Sequence, residues 1–243
     1  MMDTPLETLP GSAELQVHEV VHLATVASTM DEAHLLAQQG ASAGTLIIAD
    51  EQTAGRGRGG NAWESIAGTG IWCTLIERPA DPAAVDVLSI RLGLAIARAL
   101  DGLAAAPIRL KWPNDVFVGG GKLAGILVEA RWREGGIDWV AIGIGLNLQT
   151  PKFNAGAAAL RPGITRSDGL RLMIPAIREA ARMRGILSLQ EQTDWLERDL
   201  SLDRTITSPI AGVVRGIEPN GALRVEDELG VMHELRTGSL VFA

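Results

Sequence analysis

Residues 44–63 read Gly-Thr-Leu-Ile-Ile-Ala-Asp-Glu-Gln-Thr-Ala-Gly-Arg-Gly-Arg-Gly-Gly-Asn-Ala-Trp: an apolar run with strand character that passes directly into a glycine–arginine loop. Gly55, Gly57 and Gly60 satisfy the spacing of a dinucleotide-binding turn. Such a turn must open a helix whose N-terminal amides face a pyrophosphate. Here residues 61–68 carry no helical apolar stripe and end in another glycine, and two arginines stand where backbone amides alone should meet the ligand. A doubly wound nucleotide fold is therefore disfavoured. The stretch predicts a buried strand and then a mobile loop. Glycines keep its backbone permissive but costly to order. Its arginines can close bidentately over an anion, the plainer alternative being a surface turn with two solvated arginines.

Working outward, Thr29-Met30-Asp31-Glu32 predicts a capping box with Thr29 as N-cap, continued by Ala33, Leu36 and Ala37. Asp81-Pro82 opens a second helix with an apolar stripe from Val85 to Ala99, ended by Gly102. Short strands are expected at 107–112, 116–118, 123–131 and 138–146, a loop at 151–167, and a helix at 168–187 bent at Pro175. After residue 202 short alternating runs are separated by turn signals such as Pro219-Asn220-Gly221. The fold class is α+β followed by a small all-β module.

The chain has 243 residues, 47% of them hydrophobic and 21% charged, which describes an ordinary globular protein. A net charge of −7 argues against nucleic acid as the main partner. No apolar stretch is long enough for a bilayer span and the N-terminus lacks a signal-peptide pattern, so no membrane partner and a cytoplasmic location are expected. The lone Cys73 sits in an apolar run and reads as packing. The four histidines show no metal spacing, and no Gly-x-Ser-x-Gly elbow is present.

What remains is cationic. Arg56, Arg58, Lys111 and Lys122 concentrate positive charge in an acidic chain. In Lys111-Trp112-Pro113-Asn114-Asp115 the proline imposes a bend. Asn114 and Asp115 either cap that turn or serve a nucleotide and, through Asp115, a magnesium ion. Gly119-Gly120-Gly121-Lys122 fails the phosphate-loop signature and reads as a hairpin turn, yet it places a lysine at the head of an apolar strand.

These segments together resemble the biotin–protein ligase family. Residues 51–58 with Trp63 are similar to its biotin-binding loop, residues 111–115 and 122–129 to its second signature, and residues 143–147 to its third. Ser28-Thr29 and the C-terminal module extend the resemblance over roughly 20–243. It implies a tail (1–19), a class II aminoacyl-tRNA synthetase/biotin ligase-like catalytic domain with a mixed sheet (20–200) and an SH3-like β-barrel (201–243). It further implies activation of biotin by ATP and Mg2+ as biotinyl-5′-adenylate, then transfer to a lysine of a biotin carboxyl carrier protein of acetyl-CoA carboxylase or a related enzyme. Ser28, Thr29, Gln52, Gly55, Arg56, Gly57, Arg58, Lys122 and Gly125 would serve biotin. Trp63, Asn114, Asp115 and Asn147 would serve the nucleotide, and Arg56, Arg58, Lys111 and Lys122 the charge of the reaction. Met30 stands where many members have asparagine, so its side chain is not among the expected contacts. The resemblance is to the monofunctional form without a DNA-binding domain, with a homodimer possible. Lipoate–protein ligases, which share the strategy, carry a His-Asp pair after a glycine-rich segment that this chain lacks. A sensor that binds without turnover is the other alternative.

Overall fold

The structure, a computed structural model, describes residues 9–79, 81–151 and 154–243. The apolar run at 45–52 forms strand β2 (Thr45–Gln52), buried through its first five residues. Its alternation decides the architecture. Leu46 and Ile48 join one apolar cluster and Ile47 the other, so β2 is covered on both faces. It lies inside a seven-stranded sheet with β1 (Glu19–Val26), β3 (Gly70–Glu77), β4 (Arg109–Lys111), β5 (Asp115–Val118), β6 (Gly121–Arg133) and β7 (Gly136–Asn147). The strand order is β1-β2-β3-β7-β6-β5-β4. Only β1 and β2 pair in parallel; every other pairing is antiparallel, which makes the sheet mixed as expected.

Helix α1 (Thr29–Gln38) covers one face with Met30, Ala33 and Ala37. On the other face α3 (Leu88–Leu100) and α4 (Arg166–Arg182) pack over a larger cluster that includes Leu75, Ile126 and Ile142. Several elements differ from expectation. Ser28, not Thr29, caps α1: its Oγ accepts from the Met30 amide at 3.3 Å, because the Thr29 hydroxyl is taken elsewhere. The helix expected from Pro82 onward divides into α2 (Pro82–Asp86) and α3, and the polypeptide leaves α3 through a 3-10 turn at Asp101–Leu103. Helix α4 starts two residues earlier than predicted, runs through Pro175 and ends at Arg182. Helix α5 (Leu189–Arg198) was not anticipated. It is joined to α3 by a buried ion pair, Arg91 Nε to Glu191 Oε1 at 2.6 Å. The stretch 9–18, expected as tail, places Leu15 fully in the core, and residues 1–8 of that tail lie outside the described residues.

The C-terminal residues form β8 (Thr205–Ser208), β9 (Gly212–Ile217), β10 (Leu223–Glu226), β11 (Met232–Leu235) and β12 (Val241–Phe242), in the order β11-β10-β9-β8-β12. This separate five-stranded antiparallel sheet is the small all-β module expected from sequence, with β11 and β12 at the ends of its strand order. Its apolar residues Ile206, Val214, Leu223 and Val225 belong to the same cluster as the core of the large sheet. Trp112 donates its Nε1 proton to the Gly221 carbonyl at 3.0 Å, which ties the two sheets together.

Candidate functional site

Beyond the end of α1, its face of the large sheet carries small residues where large apolar ones would be needed to close it. Thr74 on β3, Gly125 on β6, and Gly143 and Gly145 on β7 leave a cavity of about 150 Å3. A Cβ on Gly145 would stand 2.3 Å from Trp63 Nε1, and one on Gly125 2.9 Å from Trp63 Cζ3. The glycines are thus a floor over which the Trp63 indole lies. That indole Nε1 is buried and has no hydrogen-bond partner among the described residues.

One end of the slot is neutral and polar. Gln52 Oε1 accepts from the Thr29 amide at 2.8 Å and from Thr29 Oγ1 at 3.0 Å, while its Nε2 donates to Ser65 Oγ at 2.8 Å. Thr74 Oγ1 donates onward to Thr29 Oγ1 at 2.9 Å. Buried polar groups of this kind must be bonded to be tolerated, and the resulting network fixes three side chains from three separate elements at the cavity wall. Ser28 and Met30 complete that wall. Cys73 also borders it, but burial pushes its thiol up to about 12, which leaves it protonated and inert.

The glycine–arginine segment folds over the slot as a turn. The Gly57 amide donates to the Asn61 carbonyl at 2.7 Å, and the Trp63 amide to the Gly55 carbonyl at 2.8 Å. Gly59 and Gly60 adopt φ of +66° and +78°, which side-chain-bearing residues rarely do. Gly55 does not line the cavity; it lies where a Cβ would be 2.5 Å from the Trp63 carbonyl, so it lets the turn close on itself. The two arginines differ. Arg56 is held by Asp31 of α1 and by Glu129 of β6, the latter at 3.5 Å, and Glu129 also bonds His34 at 2.7 Å. Arg58 forms no ion pair among the described residues: it donates to Asn114 Oδ1 at 3.1 Å and to the Gly238 carbonyl at 3.5 Å. Burial pulls its guanidinium below the ordinary arginine range, against the opposing charge of Asp115. Arg56 is an anchor, and Arg58 carries the uncompensated charge.

Asn114 is no mere turn cap. Its Nδ2 donates to the Ile126 carbonyl at 2.7 Å, which presents Oδ1 to Arg58. Lys122 projects from the head of β6; its Nζ lies 2.7 Å from Asp115 Oδ1 and 5.1 Å from the centre of a Trp63 ring. Three sequence-predicted residues do not line the cavity: Gly55, which closes the turn, and also Lys111 and Asn147. Lys111 lies beside it, 5.0 Å from the Phe242 ring centre. Asn147 is buried and donates to the carbonyls of Lys122 (3.2 Å) and Ala158 (3.0 Å), so it sets the backbone under Lys122. No cluster of three or more metal-ligating side chains occurs among the described residues. With Asp115 already ion-paired, this donor set fits no protein-built cage for magnesium. Among the described residues Asp115 is the one carboxylate at the cavity, open to an incoming cation only at the expense of Lys122.

Sequence reasoning missed Thr74, Asn61, Ala62 and Ser239 of the lining. Thr74 had a signal, as the one polar residue inside the run Ile71–Ile76. Ser239 had none, since it arrives from the small sheet.

The family model for the biotin/lipoate A/B protein ligase family matches residues 23–147. A bifunctional ligase/repressor BirA of Bacillus spizizenii is 38% identical over 65% of this chain and 50% of that protein. The chain thus spans half the length of that relative. The biotin–[acetyl-CoA-carboxylase] ligase of Paracoccus denitrificans is 37% identical over 86% of this chain and 94% of that one. Among solved structures, the biotin protein ligase of Aquifex aeolicus in complex with biotin and ATP is 25% identical and superposes with a TM-score of 0.77, over 93% of this chain and 100% of that one.

Proposed function

The chain belongs to the biotin/lipoate A/B protein ligase family, and on that premise we propose that it is an ATP-dependent biotin–protein ligase. A biotin carboxylate oxygen attacks the α-phosphorus of ATP, the bond to the β-phosphate oxygen breaks, and pyrophosphate leaves. The amine of a carrier lysine then attacks the acyl carbon of the adenylate, loses a proton and expels AMP. The acceptor is a biotin carboxyl carrier protein of acetyl-CoA carboxylase or a related carboxylase.

What supports this reading is the polarity of the slot. The neutral network of Thr29, Gln52 and Thr74, with Ser28 beside it, stands at one end, and Arg58 and Lys122 stand at the other, with a glycine floor between. That order suits a molecule with an uncharged polar ring, an apolar middle and an anionic tail. Bringing a carboxylate to a phosphate sets two like charges against each other, about 4 kcal/mol per pair at 4 Å and an effective dielectric near 20. Arg58 and Lys122 offset that repulsion, and the turn at residues 55–63 excludes water from the mixed anhydride. Magnesium, brought by the triphosphate, would supply further charge neutralisation beside Asp115. Strand β1 is an edge of the large sheet among the described residues, and in this reading the carrier or a second copy of the chain pairs along it.

Incubation with ATP, magnesium, biotin and an apo carrier domain tests the proposal by the mass of the carrier. A carrier gaining one biotinyl group supports it; an unmodified carrier sinks it. Pyrophosphate exchange that depends on lipoate and not on biotin would assign the other branch of the family.

A further inference from the structure

Two cations lie against one aromatic ring at the seam of the two sheets. The Lys111 ammonium, at the end of β4, is 5.0 Å from the Phe242 ring centre, and the Arg204 guanidinium, just before β8, is 3.7 Å from it. Neither forms an ion pair or a side-chain hydrogen bond among the described residues. The carboxylate nearest in charge to Lys111 is Asp115, its cross-strand partner, and Asp115 is already paired with Lys122 at 2.7 Å. Lys111 and Lys122 therefore share Asp115, and Arg204 adds a third positive charge felt at Lys111, in a chain of net charge −7. A ring face attracts cations by about 0.5–2 kcal/mol but does not neutralise them. Lys111 is half-buried, and burial, with the charges of Lys122 and Arg204, pulls its ammonium below the ordinary lysine range against Asp115. Gathered like charges without counterions call for an anion, and this group lies one strand from Asp115 on the cavity wall.

We propose that Lys111 and Arg204, spread on Phe242, form an oxyanion subsite for the β- and γ-phosphates of the nucleotide and for the pyrophosphate that leaves. The inference rests on the adenylation reading and adds Arg204, which the sequence did not single out. As the bond from the α-phosphorus to the bridging oxygen breaks, its electron pair stays with pyrophosphate, and two cations on that side stabilise the gathering charge. A ring contributed by β12 places the small sheet in the reaction rather than beside it.

The test is calorimetric binding of inorganic pyrophosphate to the full chain at fixed ionic strength, with Arg204→Gln and Lys111→Gln as variants. Arg215→Gln is the control: it removes an exposed arginine of the small sheet already paired with Asp203 and Glu226. Each seam variant should weaken pyrophosphate about tenfold and raise the KM for ATP similarly, leaving the KM for biotin unchanged, while the control binds like wild type. Wild-type affinity in Arg204→Gln overturns the proposal. So does an equal rise of both KM values, which marks a structural effect. Absence of biotin-dependent turnover in a wild-type chain that still binds pyrophosphate through these residues would instead refute the ligase reading and leave the anion site standing.

Discussion

Gly145→Ala puts the smallest possible obstacle on the floor of the slot. The new Cβ would lie 2.3 Å from Trp63 Nε1, 2.4 Å from Cε2 and 2.8 Å from Cζ2, all inside contact distance, so the indole must move. Gly145 sits mid-strand opposite Trp72 in ordinary extended backbone, so alanine itself causes no backbone strain. Overpacking of this kind costs about 1–3 kcal/mol where neighbours cannot yield. Trp63 is carried on a turn and can yield, so the thermal midpoint should fall only slightly. The cavity loses more: one methyl group is of the order of a water's ~30 Å3, against a cavity of about 150 Å3. A loss of roughly a fifth of the volume should raise the KM for biotin ten- to a hundredfold, equivalent to about 1.4–2.8 kcal/mol of binding. Gly125→Ala provides the internal scale, because its Cβ meets Trp63 at 2.9 Å and Lys122 only at 3.4 Å; its effect should be distinctly smaller. Biotin titrations and melting curves on both variants decide the matter. Equal KM values for the two, or a large loss of stability with an unchanged KM in Gly145→Ala, would refute the idea that these glycines are a ligand floor.

Lys122→Ala should lower adenylate formation at least a hundredfold while shifting the melting midpoint little, since its pair with Asp115 is partly exposed; stopped-flow and calorimetric measurements check the two halves. Arg58→Ala should reduce kcat through loss of the uncompensated charge, whereas Arg56→Ala should act on the turn, raising protease cleavage at 55–63 with a milder effect on kcat. Burial raises the Glu191 carboxyl, but the bonds from Arg91 and Ser188 outweigh it and leave the group below its ordinary value. Its stabilisation is therefore present above the unfolded carboxyl pKa and is lost as pH falls through the folded one. Glu191→Gln should consequently lower the melting midpoint at neutral pH and flatten its acid limb, as read from melting curves between pH 3 and pH 7.

The legible parts of the sequence were those with a short period or a steric exception. Strand β2 announced itself by an unbroken apolar run, and the turn after it by four glycines in six residues, two of which need positive φ. The family resemblance had grouped Ser28, Gln52, Arg58, Asn114 and Lys122, and the fold brings them to one cavity. Helix α5 escaped because its buried side is thin: Trp195 and Glu191 are its buried residues. Its real signature was the capping box of Ser188 with Glu191, read past for want of an apolar stripe. The cap of α1 was misplaced by one residue because Thr29 and Ser28 are equally good caps in isolation. Only the fold reveals that Gln52 claims the threonine. Asn147 shows the limit of motif logic, since a polar residue in a signature run serves the neighbouring backbone. The unequal roles of Arg56 and Arg58 depend on Asp31, Glu129 and Asn114, which no spacing rule connects to them.

The shared apolar cluster of the two sheets has a consequence for how the protein is made. Chains fold during synthesis from the N-terminal end, and a growing chain that has completed β7 holds the glycine floor, the arginine turn and Lys122. It still lacks the Gly238 carbonyl that receives Arg58, Ser239 on the wall, and the apolar residues of β8 to β10 that cover Trp112. The cleft is therefore unfinished through most of translation, with an apolar seam open to water. A chain interrupted between β7 and β12 carries the glycine floor, the arginine turn and Lys122 without the Gly238 carbonyl and Ser239 that complete the wall.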